Sequence, residues 1–234
     1  MGIAFCFVPL LIGILTFTLA FKIKLTHLLI AVLLGLAAVL PISIIQYFIP
    51  DLSGLFSSPI LFSLLQSLLI YGLIEEAIKT LALLPLPHKL YDNNDDRVGF
   101  LMLAFTAGLS LGCFESVVYY FDHLQIANSR GATLLYGQIA VRIFTSDVIH
   151  MSCTGLCGLF IYSSRNKPGN DKQLSNKTSG VSCLLAAVFL HGIYDFFAGF
   201  SGDLRWFSIA VVLMSIAECR IKYKSLQTNE NAAN

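Results

Sequence analysis

Two adjacent carboxylates and an amine, Glu75, Glu76 and Lys79, interrupt the apolar stretch LIYGLIEEAIKTLALL at positions 69–84. Other apolar stretches carry further ionisable residues, namely Glu115, Arg142, Asp147, His150, His191 and Asp195. Carboxylates and imidazoles are the side chains with which proteins activate water, move protons and hold divalent metals. These residue types therefore predict hydrolytic chemistry, provided that the elements carrying them bring them together.

Those elements are membrane helices. The chain is 56% apolar and only 12% charged, with a mean hydropathy of +0.75, which is typical of a polytopic membrane protein. Crossing a bilayer takes about 20 apolar residues. Seven such runs are visible, near 2–21, 27–49, 59–84, 98–121, 133–163, 179–199 and 205–220. The sequence predicts an all-α transmembrane bundle forming one domain, 1–234, with catalytic helices at about 59–200 and a cytoplasmic tail at about 221–234.

The basic residues outside the runs predict the orientation. Seven helices place only Arg130 and Arg205 on one side of the membrane. The other side collects Lys22, Lys24, Lys89, Arg97, Arg165, Lys167, Lys172, Lys177, Arg220, Lys222 and Lys224. Basic loops are retained in the cytoplasm, so the N-terminus is predicted outside and the C-terminus inside. No basic surface rich in aromatic residues is present, so nucleic acid is not an expected partner.

The acids inside the membrane outnumber the bases. Each charged side chain at mid-helix costs about 2.5–3.5 kcal/mol on insertion scales. Lys79 and Arg142 can pair with two acids, which leaves three of the set Glu75, Glu76, Glu115, Asp147 and Asp195. The surplus must be protonated, meet water or meet a further cation. This imbalance favours a polar functional cavity over purely structural ion pairs.

Spacing and depth predict where the polar residues lie. Polar side chains repeat every four residues from Ser63 to Lys79 and again from Gln138 to Thr154, as on a helix face turned towards a bundle interior. Glu76 is about 100° around the helix from Glu75, so the two carboxylates should point apart and one should orient a neighbour. Counted from the helix ends, Glu75, Glu115, His150 and His191 fall in one layer near the bilayer centre.

Three other intramembrane hydrolase chemistries fit poorly. The sequence has no H-E-x-x-H zinc motif. The stretch GLSLG (108–112) is similar to the Gly-x-Ser motif of rhomboid serine proteases, but such patterns are common in membrane helices. The aspartates of YD (194–195) and SGD (201–203) are only eight residues apart, whereas an aspartyl site needs them on facing helices.

Four segments in order resemble the PrsW family of intramembrane proteases, a distant relative of the CAAX prenyl proteases: EEAIK (75–79), GLSLGCFES (108–116), RIFTSDVIH (142–150) and LHGIYD (190–195). The resemblance runs from about 70 to 200. It departs from the family pattern at Leu111 and Ser116, where Phe and Asn are common, although every titratable group is present.

The resemblance implies a peptidase of the bacterial cell membrane that cuts membrane-anchored proteins, anti-sigma factors among them. It implies Glu75, Glu76, Glu115, His150 and His191 as catalytic residues. Lys79, Arg142 and Asp195 are the expected supporting residues. In this interpretation Glu75 activates water, Lys79 tethers the acid pair and Glu76 orients a partner.

Two ways of balancing the surplus acid stay open. A divalent metal such as zinc would take Glu115, His150 and His191 as ligands, with Asp195 holding the second ring nitrogen of His191. Without a metal, one histidine would carry a proton and stabilise the oxyanion. The acid excess favours the metal. The alternative to an enzyme is a membrane carrier or partner-binding protein that uses the same groups as a relay, although no repeated halves are visible.

Overall fold

The computed structural model describes residues 2–50, 53–87, 96–125, 131–165, 172–200 and 202–231, and within these ranges it is helical and has no strand. The prediction of an all-α bundle is confirmed. The helices are α1 (Gly2–Cys6), α2 (Val8–Ala20), α3 (Leu25–Phe48), α4 (Pro59–Gln66), a π-helical segment (Ser67–Ile74), α5 (Glu75–Leu83), α6 (Asp96–Asp122), α7 (Ala132–Arg165), α8 (Lys172–Ala198) and α9 (Phe207–Asn231).

Five helical stretches of the described ranges are long and apolar enough to cross a membrane: Leu25–Phe48, Pro59–Leu83, Arg97–Asp122, Ala132–Arg165 and Gly180–Ala198. Helix α2 is apolar but shorter, and α9 becomes charged from Glu218 onwards. These helices make a multi-pass membrane bundle, while the number seven stays a prediction. The stretch predicted as a tail continues α9 as far as Asn231.

Helices α6 and α7 form the centre of the bundle. In the most apolar window of each, 72% of the residues are buried, against 28% for α3 and 33% for α8. The two helices cross at Gly108 and Gly112. A Cβ at Gly108 would lie 2.5 Å from the carbonyl oxygen of His150, and one at Gly112 would lie 2.9 Å from Cα of Asp147. Small residues allow such close approach of membrane helices, so this crossing sets Glu115 opposite His150.

The third apolar run forms one continuous helix with three segments. Pro59 occupies its first turn, and the Ser58 hydroxyl accepts a hydrogen bond from the amide of Leu61 at 3.4 Å. A π-helical segment, Ser67–Ile74, separates α4 from α5 and ends directly before Glu75. Such widened turns are frequent at functional sites. Ser67 and Tyr71, two members of the predicted polar face, lie in this segment.

The π-helical segment crosses α8 at a second glycine contact. A Cβ at Gly72 would lie 2.5 Å from the carbonyl oxygen of Val188, and one at Gly192 would lie 2.7 Å from Cα of Leu68. Neither position can hold a larger residue without separating the two backbones. Because His191 precedes Gly192, this crossing brings the imidazole against the first turn of α5.

Helix α3 packs on the outer side of α6 and α5. A Cβ at Gly35 would lie 2.2 Å from the carbonyl oxygen of Ala107, and the Ser110 hydroxyl donates to the carbonyl oxygen of Val32 at 2.9 Å. One turn further on, Ala38, Ile42 and Leu111 form a small buried cluster against Ile78 and Ala82. These contacts fix the C-terminal half of α3 beside the acidic turn of α5.

Candidate active site

Four helices contribute to one buried cluster of ionisable side chains. Glu75, Glu76 and Lys79 come from α5, Glu115 from α6, His150 from α7 and His191 from α8. The ring centroids of the two histidines are 4.8 Å apart, with the planes at 80°. All five residues expected to be catalytic are thus brought together, although they lie up to 116 positions apart in the chain.

Lys79 and Glu76 form the inner part of the cluster. The Lys79 ammonium lies 2.8 Å from Oε1 of Glu76 and 3.6 Å from Oε2 of Glu75. It also lies 2.8 Å from Nδ1 of His150. The side chains of Glu76 and Lys79 are 0% and 2% exposed, so these contacts replace water almost completely. A buried ion pair tolerates this only when its remaining donors and acceptors find partners, as they do here.

Glu76 also orients His191. Its Oε1 lies 2.7 Å from Nδ1 of His191, and its Oε2 accepts from the Cys157 thiol at 3.3 Å. An ionised carboxylate can only accept, so Nδ1 of His191 is the donor. In a neutral ring Nε2 then carries the lone pair. Nε2 lies 3.8 Å from Oε2 of Glu75 and 3.5 Å from Oδ2 of Asp195.

His150 has the opposite arrangement. An ammonium can only donate, so Nδ1 of His150 accepts the hydrogen bond of Lys79. The proton of a neutral ring is then on Nε2, which donates to Oε2 of Glu115 at 2.8 Å. The same Glu115 oxygen accepts from Nη2 of Arg142 at 3.1 Å. The two histidines are therefore held in different tautomers by their buried partners.

A cavity of about 450 Å³ borders the cluster on the side away from Glu76 and Lys79. The ionisable and polar side chains that line it are those of Ser43, Gln46, Tyr71, Glu75, Glu115, Tyr119, Asp122, Arg142, Ser146, His150, His191, Tyr194 and Asp195. Glu76 and Lys79 do not line it. Of the two adjacent glutamates only Glu75 lines this space, although both carboxylates contact Lys79 and His191.

The two oxygens of Glu75 are in different surroundings. Oε1 accepts a hydrogen bond from Nε2 of Gln46 at 2.9 Å. Oε2 is buried and accepts no hydrogen bond from any residue that the structure describes. A buried acceptor without a donor is costly. Oε2 of Glu75, Nε2 of a neutral His191 and the carboxylate of Asp195 thus face one another, and a cation, a proton or a water molecule would satisfy all three.

This donor set suits a divalent metal. Glu75, His150 and His191 each offer a ligand atom, and these atoms all lie within 4.8 Å of one another. Two imidazoles and a carboxylate are a common ligand set of catalytic zinc. The group includes Glu75 where the sequence suggested Glu115, which instead holds Nε2 of His150. To bind a metal through Nε2, a neutral His150 would have to carry its proton on Nδ1 instead, and Lys79 would then have to give up its hydrogen bond to that nitrogen.

The expected supporting residues lie around the cluster. Arg142 pairs with Glu115 and covers the ring of Tyr119, with its guanidinium carbon 5.1 Å from the ring centroid. Asp195 lies near Nε2 of His191, and the second ring nitrogen of His191 is held by Glu76 instead. Asp147 is fully buried and accepts from the Ser116 hydroxyl at 2.9 Å, on the far side of the Gly112 crossing.

Two contacts of the cluster were not predicted from the sequence. Gln46 stands alone near the end of the apolar run PISIIQYF, where a polar residue is typical of a membrane interface. Cys157 lies two turns beyond His150 in a run of small residues. No motif marks either position. Only the packing of α3 and α7 against α5 shows that they contact the two glutamates.

Comparison with protein families gives one match. The model described as PrsW family intramembrane metalloprotease matches residues 24–217, which includes α3 through the first half of α9. No curated protein and no solved structure matches the chain. The match covers every helix of the cluster, and it supports a peptidase over a carrier. The chain belongs to the PrsW family of intramembrane metalloproteases.

Proposed function

We propose that this peptidase hydrolyses a peptide bond of a membrane-anchored protein in the cavity lined by Glu75, Glu115, His150 and His191. One observation carries the proposal: the buried Oε2 of Glu75 accepts no hydrogen bond from any residue that the structure describes, and it lies 3.8 Å from Nε2 of His191 beside that cavity. An ionised carboxylate oxygen can take the proton of a water molecule that enters from the cavity.

Glu75 is the proposed proton acceptor. Gln46 holds Oε1, so Oε2 takes the proton from the attacking water and passes it to the leaving amine. His150 presents its Nε2 proton towards the same space and stabilises negative charge on the carbonyl oxygen once the substrate displaces Glu115. His191, oriented by Glu76, lines the cavity beside these residues. Lys79 lies outside the cavity, contacts both glutamates and balances the charge of one of them.

The proposed metal ligands are Glu75, His150 and His191. When bound there, a zinc ion would polarise the peptide carbonyl and make a bound water more acidic. The chain's own groups support this assignment: Glu76 orients His191 from the rear, as carboxylates do for metal-bound histidines. The glutamic and metallo types would use the same residues in different roles: Oε2 of Glu75 accepts the water proton in the first and would be a metal ligand in the second. The surplus of carboxylates and the unsatisfied Oε2 of Glu75 favour the metallo type.

The substrate and location follow from the surroundings of the cavity. It lies among membrane helices, so the peptide bond must belong to a protein that is itself in the lipid bilayer. A membrane-anchored anti-sigma factor of a bacterial cell is the substrate class that fits the family resemblance. We also propose one domain, 1–234, in the bacterial cell membrane, with catalytic helices at 59–200, the N-terminus outside and the C-terminus inside.

Peptide cleavage by the purified protein tests the activity. The protein in detergent would be given a proteome-derived peptide mixture and a panel of single-pass membrane proteins, and new termini would be read by mass spectrometry. We expect cleavage by the wild type and none by Glu75→Gln. Glu218→Gln, the same chemical change on α9 far from the cavity, is the matched control. Equal cleavage by wild type and Glu75→Gln would exclude the proposed site.

Cysteine labelling from either side of the membrane tests the orientation. A cysteine replacing Arg205 should react with an impermeant maleimide in intact cells, and one replacing Lys224 should react only after permeabilisation. The opposite pattern would reverse the proposed topology without affecting the proposed chemistry.

A further inference from the structure

Gln46 contacts the proposed catalytic acid from a helix outside the four motif segments. It lies in the last turn of α3, 29 positions before Glu75, and its Nε2 donates to Oε1 of Glu75 at 2.9 Å. Gln46 also lines the same cavity as Glu75, His150 and His191. Its amide therefore lies where a substrate would be held as well as where the acid is oriented.

The contact makes the two oxygens of Glu75 unequal. With Oε1 tied to the amide, rotation of the carboxylate would break a charge-assisted hydrogen bond. Oε2 then stays directed towards Nε2 of His191, 3.8 Å away, and has no donor of its own. Gln46 thus determines which oxygen meets water or a metal.

The backbone of α3 is held firmly enough for this purpose. Gly35 lies against the carbonyl of Ala107, and Ser110 donates to the carbonyl of Val32. Ile42, one turn before Gln46, is 4% exposed and belongs to the cluster with Leu111. A side chain based on such a helix holds an orientation better than one on a loop.

A neutral donor suits this position. The nearest ammonium, that of Lys79, makes its short contacts with Glu76 and His150 and lies 3.6 Å from Glu75. A cationic side chain at position 46 would form an ion pair with Glu75 and would repel a metal ion bound at Oε2. The amide supplies a hydrogen bond without a charge, so it holds Oε1 and leaves Oε2 available to water or to a metal.

We propose that Gln46 is a positioning residue for catalysis: its amide holds Oε1 of Glu75 so that Oε2 is presented to the reacting water. The inference rests on the proposed function, because it assigns Gln46 a role only if Glu75 takes part in hydrolysis.

Gln46→Met tests the inference, because methionine has a similar length and no donor. Ile45→Met is the matched control, since Ile45 is the neighbouring residue of α3 and is 41% exposed. On a peptide that the wild type cleaves, we expect kcat to fall about 10–100-fold for Gln46→Met with little change in KM. Ile45→Met should match the wild type. Equal kcat for Gln46→Met and wild type would overturn the inference.

A double-mutant cycle with Glu75→Asp separates positioning from a structural role. Aspartate is shorter and withdraws the carboxylate from Gln46, so adding Gln46→Met should then cost less than about threefold in kcat. The same 10–100-fold loss in both backgrounds would show an independent structural effect and overturn the inference.

Folding and activity are checked separately. If Gln46→Met does not give a monodisperse protein with the wild-type melting temperature, Gln46→Glu, which keeps the length and polarity of the side chain, takes its place and should lose at least as much kcat. Wild-type kcat in Gln46→Glu would overturn the inference. A wild type that cleaves no peptide would remove the proposed function and this inference together, whereas an active wild type with unaffected Gln46 variants would remove only the inference.

Discussion

The neighbouring residues Glu75 and Glu76 belong to two different regions of the cluster. Glu76 is fully buried, and its oxygens meet Lys79, His191 and the Cys157 thiol. Glu75 faces the cavity, where Oε1 accepts a hydrogen bond from Gln46 and Oε2 accepts none from the residues that the structure describes. The inner region is saturated with hydrogen bonds, and the outer region is not.

This difference shows how a membrane protein separates support from reaction. A buried charge is stable only with its partners in place, so the inner region resists change and fixes the tautomers of both histidines. The outer region keeps unsatisfied acceptors beside a space large enough for substrate. We expect the first to respond to mutation mainly in stability and the second mainly in rate.

Removal of metal should give the largest effect and tests what completes the outer region. A stringent chelator should abolish cleavage and added zinc should restore it, because Oε2 of Glu75 and the histidines would lose the ion that they share. Metal analysis should show zinc bound to wild type and to Glu115→Gln but lost from Glu75→Gln. Full activity of metal-stripped protein would exclude the metallo type, and zinc loss from Glu115→Gln alone would restore the ligand set suggested by the sequence.

The substitution Glu75→Gln should have the second-largest effect on activity. The amide cannot accept the water proton, so kcat/KM is expected to fall about 10²–10⁴-fold. With chelator present in both samples, the melting temperature in detergent should stay close to that of the wild type, because Oε2 accepts no hydrogen bond from the residues that the structure describes. A large drop in melting temperature with a small drop in rate would place Glu75 in the supporting region. Glu218→Gln serves as the control.

Glu76→Gln should lower the stability more than Glu75→Gln does and the rate less. Lys79 would lose its short ion pair and keep the 2.8 Å contact with Nδ1 of His150 and the 3.6 Å contact with Glu75. Removing one partner of a buried ion pair typically costs about 3–5 kcal/mol. The melting temperature should fall clearly. Since His191 loses an ionised acceptor, kcat/KM should also fall, by about 10–100-fold. A stable Glu76→Gln protein would contradict the assignment of Glu76 to the inner region.

Asp147→Asn should have the smallest effect on rate. Asp147 accepts from Ser116 on the side of α7 that faces Gly112, and it does not line the cavity. An asparagine oxygen can accept the same hydrogen bond, so the loss in kcat/KM should stay below about tenfold. A loss as large as that of Glu75→Gln would extend the outer region to this aspartate.

The sequence by itself determined the class of the protein. The apolar runs predicted most helix ends to within a few residues, because a membrane-spanning segment must satisfy its own backbone hydrogen bonds. Helix α8, however, begins at Lys172 and α9 ends at Asn231, well outside the predicted runs 179–199 and 205–220. The ionisable residues inside those runs identified the candidate site, since each is too costly to occur there without a role or a partner. These grounds, together with the family resemblance, gave Glu75, Glu76, Glu115, His150 and His191 as the candidate catalytic residues.

Only the tertiary structure decided which atoms meet. Whether Glu75 or Glu115 shares a site with the two histidines depends on the crossings at Gly72–Gly192 and Gly108–His150, and side-chain spacing cannot specify how helices from separate runs approach. For the same reason, the sequence could not predict the π-helical segment before Glu75 or the contact between Gln46 of α3 and Glu75. The type of a residue determines which chemistry its side chain can perform. The close packing of small residues at the helix crossings determines which other side chains it contacts.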